Sequence, residues 1–133
     1  MNGEELEQAV LYKTTIPINP RTKKNSMQMI TKPKPRLIQS KIYRQYESDC
    51  LKLLKRTREP LNCEVIVCAK YYRGTLHKCD ITNLNGALHD ILVKARILED
   101  DNYTIVKGTD GSRVYIDKEN PRTEVVIYEF EEV

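Results

Sequence analysis

Apolar residues recur along the chain with two periodicities, and the segments in which apolar and polar residues alternate predict five strands. The predicted strands are residues 9–18, 62–72, 103–109, 113–117 and 123–130, all rich in Val, Ile, Leu, Thr or Tyr. Residues 62–72 are apolar on both faces, which is typical of a central strand. Asp110-Gly111 follows the third strand and predicts a hairpin between the third and the fourth.

Two other segments repeat apolar residues at helical spacing. The first begins after Ser40, a favourable N-cap, and continues to about residue 58, before Pro60. The second covers about residues 83–95, with Thr82 or Asn83 as its N-cap. Its buried stripe is Leu84, Ala87, Leu88, Ile91, Leu92 and Ala95. The order β-α-β-α-β-β-β predicts an α/β (α+β) domain over residues 1–133, a mixed sheet with two main helices, with residues 1–8 as a flexible lead-in.

Charge is distributed unevenly between these elements. Residues 21–40 form a basic, proline-containing loop, with room for a short strand at residues 27–30. Residues 21–58 carry twelve Lys or Arg against Glu47 and Asp49, although the net charge is only +3. A one-sided basic segment favours a polyanionic partner, because each neutralised phosphate releases counterions.

Other features of the composition exclude several classes of protein. No apolar run is long enough to cross a membrane, and the first residues lack the features of a signal peptide, so we expect a cytoplasmic protein. The four cysteines form no CxxC pair. A zinc site would combine Cys63, Cys68, His77 and Cys79 at irregular spacings, so reduced thiols and no zinc are the simpler interpretation.

Carboxylates flank the second helix at both of its ends. Asp80 precedes the helix, and Glu99-Asp100-Asp101 follow it. The helix is about 20 Å long, so Asp80 and Asp101 can share a site only if the chain doubles back. Clustered carboxylates favour a hard cation such as Mg²⁺. Neighbouring residues of an extended segment point to opposite sides, so only one of Asp100 and Asp101 is expected to face the metal.

The residues around this helix resemble a known family motif. They read Asp80-Ile81-Thr82-Asn83-Leu84, then Asp90-Ile91-Leu92 within the helix, then Asp100-Asp101. The spacing resembles that of the RusA-type Holliday junction resolvases, small endonucleases common in prophages, whose motif is D-x-D-N-L followed by a helix and D-D. The resemblance covers about residues 10–130.

The resemblance implies a homodimeric, Mg²⁺-dependent nuclease that binds four-way DNA junctions and cuts two opposed strands in recombination and repair; Mn²⁺ is an alternative metal. It assigns Asp80 and Asp101 as metal ligands and catalytic residues, with Asp100 as the next candidate. Thr82 replaces the second motif aspartate, and its hydroxyl can still position a water. Gly86 replaces a lysine of the motif helix, and Lys24 or Lys78 can supply the missing positive charge.

Basic and polar side chains supply the candidate DNA contacts. They are Lys23, Lys24, Asn25, Lys32, Lys34, Arg36, Lys41 and Lys78. His77 is a weaker candidate, and His89 is expected on the polar side of the helix. Asp90 is expected to pair with Lys94 at i, i+4 spacing. Two alternatives stay open: a junction-binding protein that has lost catalysis, and a basic interaction domain without junction preference.

Overall fold

The computed structural model describes residues 8–23, 27–32, 34 and 36–132, and nearly all of the predicted lead-in lies outside them. The elements are β1 (Val10–Ile16), β2 (Met27–Ile30), β3 (Arg36–Gln39), α1 (Lys41–Leu53), β4 (Val65–Arg73), α2 (Ile81–Lys94), β5 (Val106–Gly108), β6 (Arg113–Ile116) and β7 (Arg122–Glu129). The mixed α/β architecture with two helices is therefore confirmed. None of the helices described is long and apolar enough to span a membrane.

A five-stranded mixed sheet forms the centre of the fold. Its order is β1-β7-β4, and β5 and β6 both pair with the remaining edge of β4. β7 is antiparallel to both of its neighbours, whereas β5 and β6 are parallel to β4. The prediction that residues 62–72 form a central strand is confirmed, because β4 has partners along both edges.

The basic loop contains more structure than expected. The strand predicted at residues 27–30 is present as β2, and it pairs antiparallel with β3, a strand that the sequence analysis did not predict. The prediction that all of residues 21–40 form a loop is therefore wrong.

The hairpin predicted at Asp110-Gly111 is also wrong. Among the described residues, β5 and β6 pair only with β4 and follow one another along its edge. Gly111 makes the intervening turn with a φ of 88°. The buried hydroxyl of Ser112 then accepts a hydrogen bond from the N–H of Ala69 at 3.0 Å. Both strands are parallel to β4, so the chain keeps its direction through this turn.

Both helices cover one face of the sheet and enclose the core. The predicted stripe of α2 is buried at Leu84, Ala87, Leu88, Ile91 and Leu92, and alternate residues of β4 face it. α1 ends at Leu53, not near residue 58, and Ile42 in its first turn is 59% exposed. Leu54 ends the helix with an extended backbone, and the hydroxyl of Tyr12 donates to the carbonyl of Lys55 just beyond it at 2.6 Å.

Candidate active site and nucleic-acid interface

Asp80 is the N-cap residue of α2, where the chain returns from the end of β4. Its extended backbone lets its carbonyl accept from the N–H groups of Asn83 and Leu84, at 3.0 and 3.2 Å. The predicted N-caps, Thr82 and Asn83, lie inside the helix and are corrected by this geometry. The Asp80 carboxylate makes no capping bond to its own helix and is exposed. It is therefore available to an external ligand.

The two departures from the family motif lie on the surface of α2. Thr82 is exposed in the first turn of the helix. Gly86 is exposed one turn later, and a Cβ built there meets no described atom within 4 Å.

Asp100 and Asp101 have different roles in the turn after α2. The carboxylate of Asp100 accepts from the N–H of Asp101 at 2.7 Å and from the amide of Asn102 at 2.9 Å. These bonds, chiefly the one from the Asp101 N–H, lower the pKa of the exposed Asp100 carboxyl. The Asp101 side chain also interacts with the Asp100 carboxyl and contributes to that shift. Asp100 therefore stabilises the turn, whereas the Asp101 carboxylate accepts no bond from a described backbone N–H.

The chain turns at the end of α2. The N–H of Ile97 donates to the carbonyl of Leu92 at 2.9 Å, and the Asp101 carboxylate lies within the electrostatic surroundings of His89. Burial lowers the pKa of His89, and the negative charge of Asp101 partly opposes that shift. His89 is half-buried, and its Nε2 has no partner among the described residues. His89 follows Asp80 by nine residues, which is about 13 Å along a helix axis.

No set of three or more His, Cys, Asp or Glu side chains in the described part of the chain is placed to hold a metal ion. Asp80, Asp100 and Asp101 are therefore not gathered into one three-carboxylate site within the monomer. Asp80 and Asp101 each present an exposed carboxylate, the kind of ligand that Mg²⁺ prefers. This ion keeps several waters and is commonly held by one or two carboxylates together with substrate phosphates.

A cationic cleft lies immediately before Asp80 along the chain. It has a volume of about 320 Å³ and is lined by Asn19, Arg21, Thr22, Arg73, Thr75, His77, Lys78 and Cys79. We call it the α2 cleft. Lys78 and His77 were candidates from the sequence, whereas Arg21 and Arg73 were missed. Arg73 ends the buried strand β4, which is a signal that the sequence contained, because binding residues often follow buried strands.

Ion pairs connect the start of the basic segment to the helices. Lys23 Nζ lies 2.8 Å from Asp90 Oδ2, and Lys94 Nζ lies 3.3 Å from the same oxygen. Lys94 also pairs with Glu47 at 3.0 Å. The predicted pairing of Asp90 with Lys94 is confirmed, and Lys23 proves to be held against α2.

The other predicted DNA contacts are less closely defined. Lys32, Lys34 and Lys41 are exposed. Arg36 begins β3, a strand whose side chains are not described, and Lys24 and Asn25 lie outside the described residues. Their contact with DNA stays a prediction.

Comparison with protein-family models decides the family. The model described as "Endodeoxyribonuclease RusA" matches residues 17–128. The chain belongs to the RusA family. The match includes β2 to β6, both helices and most of β7, and with them Asp80, Asp101 and the α2 cleft. RusA membership implies a metal-dependent Holliday junction endonuclease. No curated protein matches the chain.

Proposed function

We propose that this RusA-family protein is a Mg²⁺-dependent endonuclease that resolves four-way DNA junctions by paired phosphodiester hydrolysis. The proposal rests chiefly on Asp80, whose carboxylate makes no capping hydrogen bond. This residue lies at the start of the family's motif helix and next to a cleft lined by cationic side chains. Its place of action is the cytoplasm, where recombination and repair of prophage or host DNA take place.

Asp80 and Asp101 are the proposed metal ligands, directly or through water. Bound Mg²⁺ polarises a phosphoryl oxygen and lowers the pKa of a bound water. Asp100 orients Asp101, because its carboxylate accepts the N–H of that residue at 2.7 Å. Thr82, which is exposed on the first turn of α2, holds a water through its hydroxyl in this proposal, where the motif has a carboxylate.

Basic side chains position the DNA in this proposal. Lys78 lines the α2 cleft, while the candidates of the basic segment bind the backbone farther from the chemistry. Phosphate contacts set register and carry little sequence information, so junction preference comes from shape. A homodimer presents two such surfaces about a two-fold axis, and two cuts need two sites.

A second candidate function is junction binding without catalysis. It is favoured by the exposed Thr82 in place of a carboxylate and by Gly86, which leaves open space where the family motif has a lysine. Incubating the protein with a synthetic four-way junction and Mg²⁺ or Mn²⁺ separates the two functions. Symmetric product bands support the nuclease, and a shifted but uncut junction supports the binder.

Asp80→Asn and Asp101→Asn test the assignment of the ligands. Each is expected to abolish cleavage while leaving junction affinity intact, because the amide keeps the shape and loses the charge. Glu99→Gln is the matched control, since Glu99 is an exposed acid of the same turn. Wild-type cleavage by either aspartate variant would remove that residue from the site. Equal competition by duplex and junction DNA would instead identify a basic domain without junction preference.

A further inference from the structure

The guanidinium of Arg73 is incompletely satisfied within the protein. One of its terminal nitrogens donates to the carbonyl of His77, but its Nε is buried and has no partner among the described residues. A buried N–H of a charged group is costly to leave unpaired. Because Arg73 lines the α2 cleft, its guanidinium can donate its unused N–H groups to an acceptor bound in that cleft.

The charge of the α2 cleft indicates which acceptor fits. Arg21, Arg73 and Lys78 line it, no aspartate or glutamate does, and none of the three forms an ion pair with a described carboxylate. Thr22 and Thr75 add hydroxyl donors. Guanidinium groups and hydroxyls together suit the oxygens of a phosphate, which arginine binds through two parallel N–H donors.

The wall of the cleft is held in place before any ligand arrives. The N–H of Gly74 donates to the side-chain oxygen of Asn19 at 2.8 Å, which ties the segment after β4 to the end of β1. A Cβ at Gly74 would meet Pro121 Cγ at 3.0 Å, so the chain passes close to the start of β7. Arg21 and Arg73, distant in sequence, are therefore kept on one cleft.

We infer that the α2 cleft binds a backbone phosphate of the DNA strand beside Asp80, with Arg73 as its principal donor and Arg21 and Lys78 as supporting cations. The inference rests on the proposed function for the identity of the occupant. It also provides positive charge near the proposed site in a chain whose motif helix has Gly86 where the family has lysine.

Arg73→Gln tests this assignment, with Lys70→Gln as the matched control. Lys70 lies on the same strand, is exposed and loses the same charge, but projects from the opposite face of the sheet. Junction affinity is measured by fluorescence anisotropy in EDTA over a range of salt concentrations. Arg73→Gln is expected to weaken binding roughly tenfold and to reduce the salt slope by about 0.9, the value for one lost phosphate contact. Lys70→Gln is expected to change neither.

A second variant and a phosphate titration complete the test of the α2 cleft. Arg21→Gln repeats the test if Arg73→Gln fails to fold, as judged by its melting curve. Titration of inorganic phosphate is followed at the Arg73 Nε–H resonance, and junction DNA is expected to compete with it. Phosphate binding without such competition identifies free phosphate as the occupant and overturns the inference. The inference is also overturned if the affinity of Arg73→Gln for the junction has the same salt slope as that of Lys70→Gln.

These outcomes are separable from failure of the proposed nuclease. If the wild-type protein binds junctions without cutting them, and Arg73→Gln still lowers the slope, the phosphate site stands and the nuclease does not. If Asp80→Asn abolishes cleavage while Arg73→Gln binds and cuts like the wild-type protein, the nuclease stands and the phosphate site is wrong.

Discussion

Replacing Gly86 by alanine should stabilise the protein, although the position belongs to a motif helix. Glycine inside a helix is unfavourable because the unfolded chain loses more conformational freedom at glycine than at alanine. Gly86 lies well inside α2 and is exposed. A Cβ there meets no described atom within 4 Å, so the substitution adds neither a clash nor burial.

The expected magnitude is therefore the helix-propensity difference alone, about 0.5–1 kcal/mol in favour of alanine. For a domain of this size, that corresponds to a rise in Tm of about 2–5 °C. Chemical denaturation should show a higher midpoint with an unchanged m-value. An unchanged or lower midpoint would refute the reasoning, since it would show that Gly86 makes a contact or adopts a conformation that the structure does not contain.

Gly111→Ala is the control with the opposite sign. Gly111 has a φ of 88°, and its Cβ would lie 3.1 Å from Cys68 Sγ. The same chemical change should destabilise the protein there by roughly 1–2 kcal/mol. Gly86→Lys then tests chemistry: the restored motif cation should raise the cleavage rate above that of Gly86→Ala. Equal rates in these two variants would show that the position has no catalytic influence.

Three further variants test the ion pairs and the core. Burial raises the pKa of Asp90, but the hydrogen bonds and charges of Lys23 and Lys94 outweigh it and leave the pKa lowered. A carboxyl whose pKa is lowered by folding adds stability above its unfolded pKa, near 4, and this stability is lost as the pH falls through the folded-state pKa. Asp90→Asn should therefore cost roughly 0.5–1 kcal/mol at neutral pH and progressively less in acid. Tyr43→Phe should be neutral or stabilising in urea denaturation, because the buried Tyr43 hydroxyl has no partner among the described residues. Tyr71→Phe should cost about 1 kcal/mol by the same measurement, because that hydroxyl donates to Asn85 at 2.7 Å.

Periodic features of the chain could be predicted because burial enforces them. The stripe of α2 and the apolar character of β4 follow directly from packing against one another. The exact start of α2 could not be predicted, because Asp80, Thr82 and Asn83 are all good N-caps and only the backbone geometry selects among them. Similarly, Gly111 signals a turn but does not determine whether the chain reverses.

Contacts between residues that are distant in the chain could not be predicted from the sequence. Lys23 and Asp90 are 67 residues apart, and nothing local to either indicates their pairing. Arg21 and Arg73 come together in the α2 cleft only because the end of β1 and the end of β4 are held side by side. The distinction between Asp100 and Asp101 likewise depends on hydrogen bonds within a turn.

Localised oxidative cleavage tests the central claim, that Asp80 and Asp101 act on one divalent ion. Fe²⁺ replaces Mg²⁺ in the junction complex, and ascorbate with peroxide generates radicals that cut the polypeptide near the bound metal. The account predicts cuts around both residues 80 and 101, with both sets lost in Asp80→Asn and in Asp101→Asn. Cuts near only one of the two residues, or loss of one set without the other, would contradict it.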